Sequence, residues 1–369
     1  MERTFYDEFV RKSLRGEILS NIDCVQILTS PEIELLPLLD AAYQIRKTYT
    51  GKEVQLHIIS NAQNGYCPED CHYCAQAKSS NAKIEAYPLK PEEEILAEAK
   101  DAYESGAYRY CMVLSGRGPS KKRVAHLAKS IRKIKSQYPI QVCLSVGLIK
   151  REDARTLKEA GLDRLNHNLN TSEAHYSNIC TTHTYADRIN TLNAAEEVGI
   201  KLCSGIIVGM GETTDDVIEV AKTLRRLKVQ SIPVNFLIPI QGNVLSAEPA
   251  LTPEYCLRVL CLYRFLNPDA EIRVAGGREM HLRSMEVMAL YPANSLFVDG
   301  YLNAKGTSRI QVLRMIKDAG FTIKADQSLE ELLDQEERSK NGSEGDNQTD
   351  FMKDIKDLRP KIQLQSAIR

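Results

Sequence analysis

The fold class this sequence predicts is α/β, a (β/α)8 barrel of the TIM type with a helical N-terminal extension. Three observations predict it. Eight short runs rich in β-branched residues alternate with longer, charged, helix-patterned stretches up to about residue 325, the signature of repeated βαβ units and a parallel sheet. Glycines close helical stretches just ahead of strand candidates, as at Ala160-Gly161 and Val198-Gly199, where a helix C-terminus favours them. Eight is also the number of strands that closes a barrel, and 369 residues suffice to bury one large core.

In chain order, residues 1–50 read as the helical extension, starting with the amphipathic MERTFYDEFVRKSLRGEILS. Residues 51–333 read as the barrel, with strand candidates at 55–61, 108–115, 141–147, 164–170, 201–209, 230–238, 271–277 and 295–300. The stretch 334–350, DQEERSKNGSEGDNQTD, is almost wholly polar, so 334–369 is expected to be a disordered tail whose end is a short helix broken near Pro360. No repeat of the kind that marks a solenoid is present.

Lys plus Arg number 48 against 49 Asp plus Glu, a net charge of -1, so no global field draws the chain to nucleic acid or an anionic membrane. No run approaches the roughly 18 apolar residues of a membrane span, and the first residues lack the order of a secretory signal. The expectation is a cytoplasmic protein acting on a small, weakly charged substrate. Its ten cysteines are then thiols kept reduced, available to metals or catalysis.

Three of these cysteines are crowded into Asn64-Gly65-Tyr66-Cys67-Pro68-Glu69-Asp70-Cys71-His72-Tyr73-Cys74, on the loop after the first strand and therefore at the active face of a barrel. The spacing C-x3-C-x2-C offers three soft thiolates on one compact loop, which suits a 4Fe-4S cluster with one iron left without a protein ligand. An open iron can take the amino and carboxylate groups of S-adenosylmethionine and deliver an electron to its sulfonium. The alternative is a zinc knuckle with His72 as fourth ligand, although zinc sites usually pair C-x2-C with a distant second pair.

With Tyr73 just before the third cysteine, the triplet resembles the radical S-adenosylmethionine signature, in which that aromatic packs near the adenine. Gly205-Ile206-Ile207-Val208-Gly209-Met210-Gly211-Glu212 resembles the G-x-I-x-G-x-x-E strand that supports the adenine. Cys111, Cys143 and Cys203 each fall within a strand candidate, and Arg273 falls within another. Facing inward they would share one chamber; singly, a strand cysteine is also a small buried hydrophobe. An arginine in an apolar strand needs a buried partner, and an anionic auxiliary 2Fe-2S cluster would be one.

Over residues 56–321 the chain is similar to the biotin synthase family, through CPEDCHYCAQ, YRYCMVLSGRGPS, VCLSVG, LNHNLNTS, KLCSGIIVGMGET, SIPVNF and IRVAGGRE. The resemblance implies sulfur insertion into dethiobiotin to give biotin, with two S-adenosylmethionine molecules cleaved per product to methionine and 5′-deoxyadenosine. It implies Cys67, Cys71 and Cys74 as 4Fe-4S ligands. It implies a sulfur-donating 2Fe-2S cluster on Cys111, Cys143, Cys203 and Arg273. Cofactor contacts would fall to Tyr73, Asn168, Asn170, Arg188, Gly205, Gly209 and Glu212, and substrate contacts to Asn168 and Asn235. A flavodoxin or ferredoxin as electron donor and a homodimer are implied as well.

On a strand, Asn166, Asn168 and Asn170 would share one face and leave His167 on the other. Three amides suit a ribose or a urea, or simply close strand ends. Asn170 stands where other members carry aspartate, and Asn303-Ala304 where some carry a threonine pair, with Lys305 as a possible substitute contact. Arg188 is either the family's carboxylate-binding arginine or a free one on a helix surface. Cys24, Cys180, Cys256 and Cys261 read as packing residues. Another radical enzyme of similar architecture, or a non-catalytic iron–sulfur or zinc protein, are the rival readings.

Overall fold

The structure, a computed structural model, describes residues 3–342 and 353–354. Three helices lead: α1 (Arg3–Leu14), α2 (Asn21–Thr29) and α3 (Leu35–Thr50). Ser20 caps α2 through a reciprocal box with Asp23, satisfying two orphan donors at the helix start. Tyr6, Phe9 and Ile45 on these helices join the main core.

Nine strands then build the barrel, interleaved with helices: β1 (Glu53–Gln63), α4 (Glu92–Glu104), β2 (Arg109–Leu114), α5 (Lys121–Gln137), β3 (Gln141–Ser145), α6 (Arg151–Glu159) and β4 (Arg164–Asn166). After the short α7 (Glu173–Tyr176) come α8 (Tyr185–Glu196), β5 (Lys201–Cys203), β6 (Ile206–Val208), α9 (Thr214–Arg226), β7 (Ser231–Phe236), α10 (Pro253–Leu266), β8 (Glu271–Val274), α11 (Arg278–Leu282) and β9 (Ser295–Val298). All neighbours pair parallel, and β1 pairs with both β2 and β9, so the sheet closes. Because β5 and β6 are two halves of one stave along β7, the barrel has the eight staves expected.

Alternation along each strand sorts the chemistry. Outward residues such as Tyr110, Met112, Val142, Leu144, Ile232 and Val274 belong to the main core under the helices, each large one contributing roughly 1.5–3 kcal/mol by burial. Inward residues are of another kind: Cys111, Cys143 and Cys203 form a separate internal cluster with Phe297.

Three details differ from the sequence expectation. The strand expected over 201–209 is interrupted at Ser204-Gly205, where the neighbouring stave comes so close that a Cβ on Gly205 would lie 1.8 Å from the carbonyl oxygen of Pro233. The strand expected over 164–170 ends at Asn166, and Asn170 turns into the left-handed region at φ 69°, which asparagine tolerates better than most. Beyond the barrel come β10 (Ala304–Lys305), α12 (Arg309–Asp318), β11 (Thr322–Ile323) beside β1, and α13 (Leu329–Gly342).

The tail expected from residue 334 is corrected in part by α13, which runs through that boundary. Leu332 and Leu333 are buried, and Glu336 and Glu337 pair with Arg309 and Arg314 of α12. The two-residue strand β12 (Lys353–Asp354) pairs with β10. The rest of the expected tail, including the helix near Pro360, lies outside the described residues.

Candidate active site inside the barrel

A cavity of about 400 Å³ opens at the C-terminal ends of the strands and descends into the barrel. Its upper wall is the cysteine loop. Gly65 and Tyr66 leave β1 with positive φ, and a side chain on Gly65 would meet Ala86 Cβ at 2.7 Å, so the turn requires glycine. From there Cys67, Cys71 and Cys74 all reach the cavity wall. Burial pushes the Cys74 thiol up to about 11, so metal entry there must displace a proton.

A second loop, between α7 and α8, pins this one. Asp70 accepts hydrogen bonds from the Thr181 and Thr182 amides at 3.0 and 3.2 Å, and the His72 amide donates to the Ile179 carbonyl at 2.9 Å. Glu69 Oε2 lies 2.6 Å from His183 Nδ1 and Oε1 3.2 Å from Arg117 Nη1. The same loop brings in Cys180, whose sulfur is 3.8 Å from Cys71 Sγ and 3.2 Å from His183 Nδ1. The expectation that Cys180 merely packs is corrected by these contacts. Hydrogen bonding from Cys71 draws the Cys180 thiol down while Cys71 is driven up.

Arg188 is buried, which removes the alternative of a free surface arginine. Thr184 and Asp187 form a capping box that fixes the start of α8, and one residue on, Arg188 points at the cavity. Its Nη1 donates to the Asn168 carbonyl at 2.6 Å, Nη2 to Tyr73 Oη at 3.3 Å, and Nε to Tyr176 Oη. Asn170 Nδ2 also bonds to Tyr73 Oη, while its Oδ1 is buried without a partner. Tyr73, Asn168, Asn170 and Arg188 thus meet at one side of the cavity.

The three alternating asparagines line the cavity together, although the chain there is not an extended strand. Asn166 Nδ2 donates to Asn168 Oδ1 at 3.2 Å and stands 3.2 Å from Cys203 Sγ. His167, expected to face away, also contributes to the lining, and its Nε2 is buried without a partner. Two staves on, Asn235 of β7 is held by backbone on both sides: Nδ2 donates to Ile206 O and Oδ1 accepts from Gly276 N, each at 3.0 Å. Asn303 and Ala304 line the wall but Lys305 does not.

Gly205, Gly209 and Glu212 stand outside the lining. Glu212 accepts from the Gly209 and Met210 amides at 2.6 and 2.7 Å, closing the turn before α9. Their geometry shapes the β6 end of the wall.

The floor holds the second thiol group. Strand register sets Cys111 opposite Cys143, and Cys203 opposite Asn166. A hydrogen bond to Cys111 raises the Cys143 thiol to about 12. Arg273 Nη1 is 3.9 Å from Cys203 Sγ, its guanidinium carbon is 4.8 Å from the centre of the Phe297 ring, and its Nε is buried without a partner.

The sequence reading missed the charge beneath. Glu271 Oε1 sits 2.6 Å from Arg273 Nη2, 3.1 Å from Arg109 Nη1 and 3.1 Å from His57 Nε2. Burial opposes ionisation of Glu271, but Arg109, then His57 and Arg273, hold it well below the usual carboxylate range. Arg164 is buried with Nε and Nη1 unpartnered. Three arginines against one glutamate leave the floor electropositive. The donor sets fit iron–sulfur clusters in both places: soft thiols at the rim, and below them soft thiols over unsatisfied cationic donors that suit an anionic group.

Residues 64–224 match the radical SAM superfamily, and residues 233–322 match the biotin and thiamin synthesis associated domain. The biotin synthase of Magnetococcus marinus is 56% identical over 311 residues, covering 84% of this chain and 97% of the relative. That of Acaryochloris marina is 57% identical over 313 residues, covering 85% and 90%. Among solved structures, methylornithine synthase superposes with a TM-score of 0.74 at 19% identity, covering 89% of this chain and 99% of that one. An FeFe-hydrogenase maturase from Carboxydothermus hydrogenoformans gives 0.72 at 19%, covering 88% and 80%. The two structures share the fold, whereas identity above one half across nearly the whole length of the two relatives goes further: this chain belongs to the biotin synthase family of radical S-adenosylmethionine enzymes.

Proposed function

We propose that this protein converts dethiobiotin to biotin, using S-adenosylmethionine as radical source and a 2Fe-2S cluster as sulfur donor. The observation that carries the reading is two groups of three thiols facing one cavity, one at its rim and one at its floor. Cys67, Cys71 and Cys74 would hold the 4Fe-4S cluster that goes with the superfamily. Cys111, Cys143, Cys203 and Arg273 would hold the second. When bound, these groups and S-adenosylmethionine supply a 5′-deoxyadenosyl radical that removes hydrogen from two substrate carbons, and the sulfur that replaces it.

The chain's own residues supply position and exclusion of water. Arg188 presents a planar fork suited to a carboxylate, with Tyr73, Asn168 and Asn170 beside it for the nucleoside. Gly205, Gly209 and Glu212 keep that wall in shape. Asn168 and Asn235 both line the cavity and would flank the ureido ring, neutral amides matched to a neutral group. The buried walls keep solvent from a reactive carbon centre.

The reading extends to the whole chain: residues 1–50 as an extension packed on the barrel, a homodimer, and reduction by flavodoxin or ferredoxin in the cytoplasm. All ten cysteines are unpaired, as a reducing compartment requires, and no helix among the described residues is long and apolar enough to cross a membrane.

The test is anaerobic reconstitution with iron and sulfide, then incubation with dethiobiotin, S-adenosylmethionine and a reductant. Biotin should form with two 5′-deoxyadenosines each, as sulfide is lost from the protein. Formation of 5′-deoxyadenosine without biotin overturns the substrate assignment; its absence overturns the radical chemistry.

A further inference from the structure

We propose that Cys71, Cys180 and His183 form a site for a single zinc ion, and that this site and the three-cysteine cluster site exclude each other because they share Cys71. The ligand atoms of the three residues lie within 4.8 Å of one another. Cys180 and His183 are buried, and Cys71 is half-buried on the cavity wall. The two sulfurs are 3.8 Å apart. In a tetrahedral zinc site with Zn–S of about 2.3 Å, two thiolates stand about 3.8 Å apart, so the pair needs little movement to take the ion.

The surroundings match the chemistry of zinc rather than that of a hard cation. Two thiolates and an imidazole are the soft and borderline donors that zinc selects. Glu69 Oε2, 2.6 Å from His183 Nδ1, orients the ring as carboxylates do behind metal-bound histidines. Nε2, 3.9 Å from Cys180 Sγ, then faces the metal, and the closer 3.2 Å contact of that sulfur with Nδ1 must open as the ion enters. Asp70 Oδ1, 3.3 Å from Cys180 Sγ, is at hand for the fourth position.

Arg188 opposes the ion, since its Nη2 lies 2.9 Å from His183 Nε2 and must give up that contact. Two thiolates with Glu69 and Asp70 bring four negative charges against two arginines, Arg188 and the Arg117 that pairs with Glu69, and the remaining two match a dication. The site is also assembled from two separate segments, the cysteine loop and the loop between α7 and α8, so it exists only in the folded chain. A Cys71 thiolate committed to zinc is withheld from iron, and zinc therefore competes with cluster assembly by capturing one ligand.

The test uses the full-length, cluster-free protein under anaerobic conditions, with zinc as the probe and alkylation of each cysteine followed by mass spectrometry. One equivalent of Zn²⁺ should slow alkylation of Cys71 at least tenfold while Cys67 and Cys74 stay reactive, and Cys180→Ser should abolish that protection. Joint protection of Cys67, Cys71 and Cys74, unchanged by Cys180→Ser, overturns the proposal, because zinc then sits on the cysteine loop alone. A second measurement is the zinc concentration that halves the rate of 4Fe-4S assembly, read by absorbance. It should rise at least tenfold in Cys180→Ser, and an unchanged value also overturns the proposal. Neither arm depends on which substrate the enzyme takes.

Discussion

Glu271 Oε1 lies 2.6 Å from Arg273 Nη2, two residues along the same barrel strand, so the buried arginine at the cavity floor carries its counter-charge with it. The same carboxylate serves Arg109. Removing it strands at least two buried cations.

Glu271→Gln should therefore destabilise the cluster-free protein by about 3–5 kcal/mol, the usual cost of breaking a buried ion pair from one side. Chemical denaturation monitored by circular dichroism measures it. A loss under about 1 kcal/mol, within the range of an exposed pair, would mean that water or rearrangement already screens the floor.

His57 gives the floor a pH signature. Burial, then Arg273, push its imidazole down to about 3, against about 6.5 in an unfolded chain. Between those values the unfolded state binds the extra proton, so stability is present above about pH 6.5 and falls as the pH drops toward 3, by up to about 1.4 kcal/mol per pH unit. Glu271, whose carboxyl is depressed, adds its own loss only below about pH 4.3. His57→Gln should flatten the decline between pH 6.5 and 4.5 by one proton; His167, also pushed down by burial, keeps the remainder. Urea midpoints across that range decide it.

Much of this architecture was legible because it follows from local periodicity. Cys111, Cys143 and Cys203 could be placed in one chamber because inward residues of parallel staves fall in layers, and the cysteine loop because it follows β1 directly. What was not legible is set by contacts between distant segments. Cys180 and His183 gain their neighbours only when the loop before α8 folds onto Glu69 and Asp70. The need for glycine at 205 depends on Pro233 of another stave, and Asn170 leaves the strand pattern at a positive φ that its neighbours in sequence do not demand. Glu271 was within reach of the reading, since Glu271-Ile272-Arg273 alternates and puts both charges on one face.

Gly205 shows how close Pro233 comes. A Cβ there would stand 1.8 Å from Pro233 O and 2.8 Å from Pro233 C, and both are backbone atoms that no rotamer change can move aside. Gly205→Ala should cost at least the 1–3 kcal/mol typical of overpacking and should lower S-adenosylmethionine affinity through displacement of β6. Urea denaturation and equilibrium dialysis report the two effects, and a variant as stable as the wild type would refute the packing argument.

The helix α13 turns the expected tail boundary into a stability test. A Cβ on Gly106 would stand 2.3 Å from Leu332 Cδ1, so this glycine leaves room for the buried leucine. A chain ended after Gln327 loses Leu329, Leu332 and Leu333, each worth roughly 1.5–3 kcal/mol of burial, and the ion pairs to Arg309 and Arg314. A chain ended after Gly342 keeps all of these. The shorter chain should melt well below the longer one by differential scanning calorimetry; equal melting temperatures would show that the helix contributes nothing.

Arg188 is the residue on which the cofactor assignment can be separated from the cluster assignment. Its guanidinium is held by the Asn168 carbonyl and by the Tyr73 and Tyr176 hydroxyls, and burial, which disfavours its charge, is outweighed chiefly by those tyrosines, so it stays protonated. Arg188→Lys keeps the charge but not the planar fork. Losing a hydrogen bond to a charged group costs about 1.5–3 kcal/mol, so affinity for S-adenosylmethionine should fall roughly 10- to 150-fold while the iron and sulfide content of the reconstituted protein stays unchanged. Equilibrium dialysis against the reconstituted variant gives the first quantity and metal analysis the second. Full affinity would remove Arg188 from the cofactor site, and loss of iron would show that it acts on the cluster loop instead.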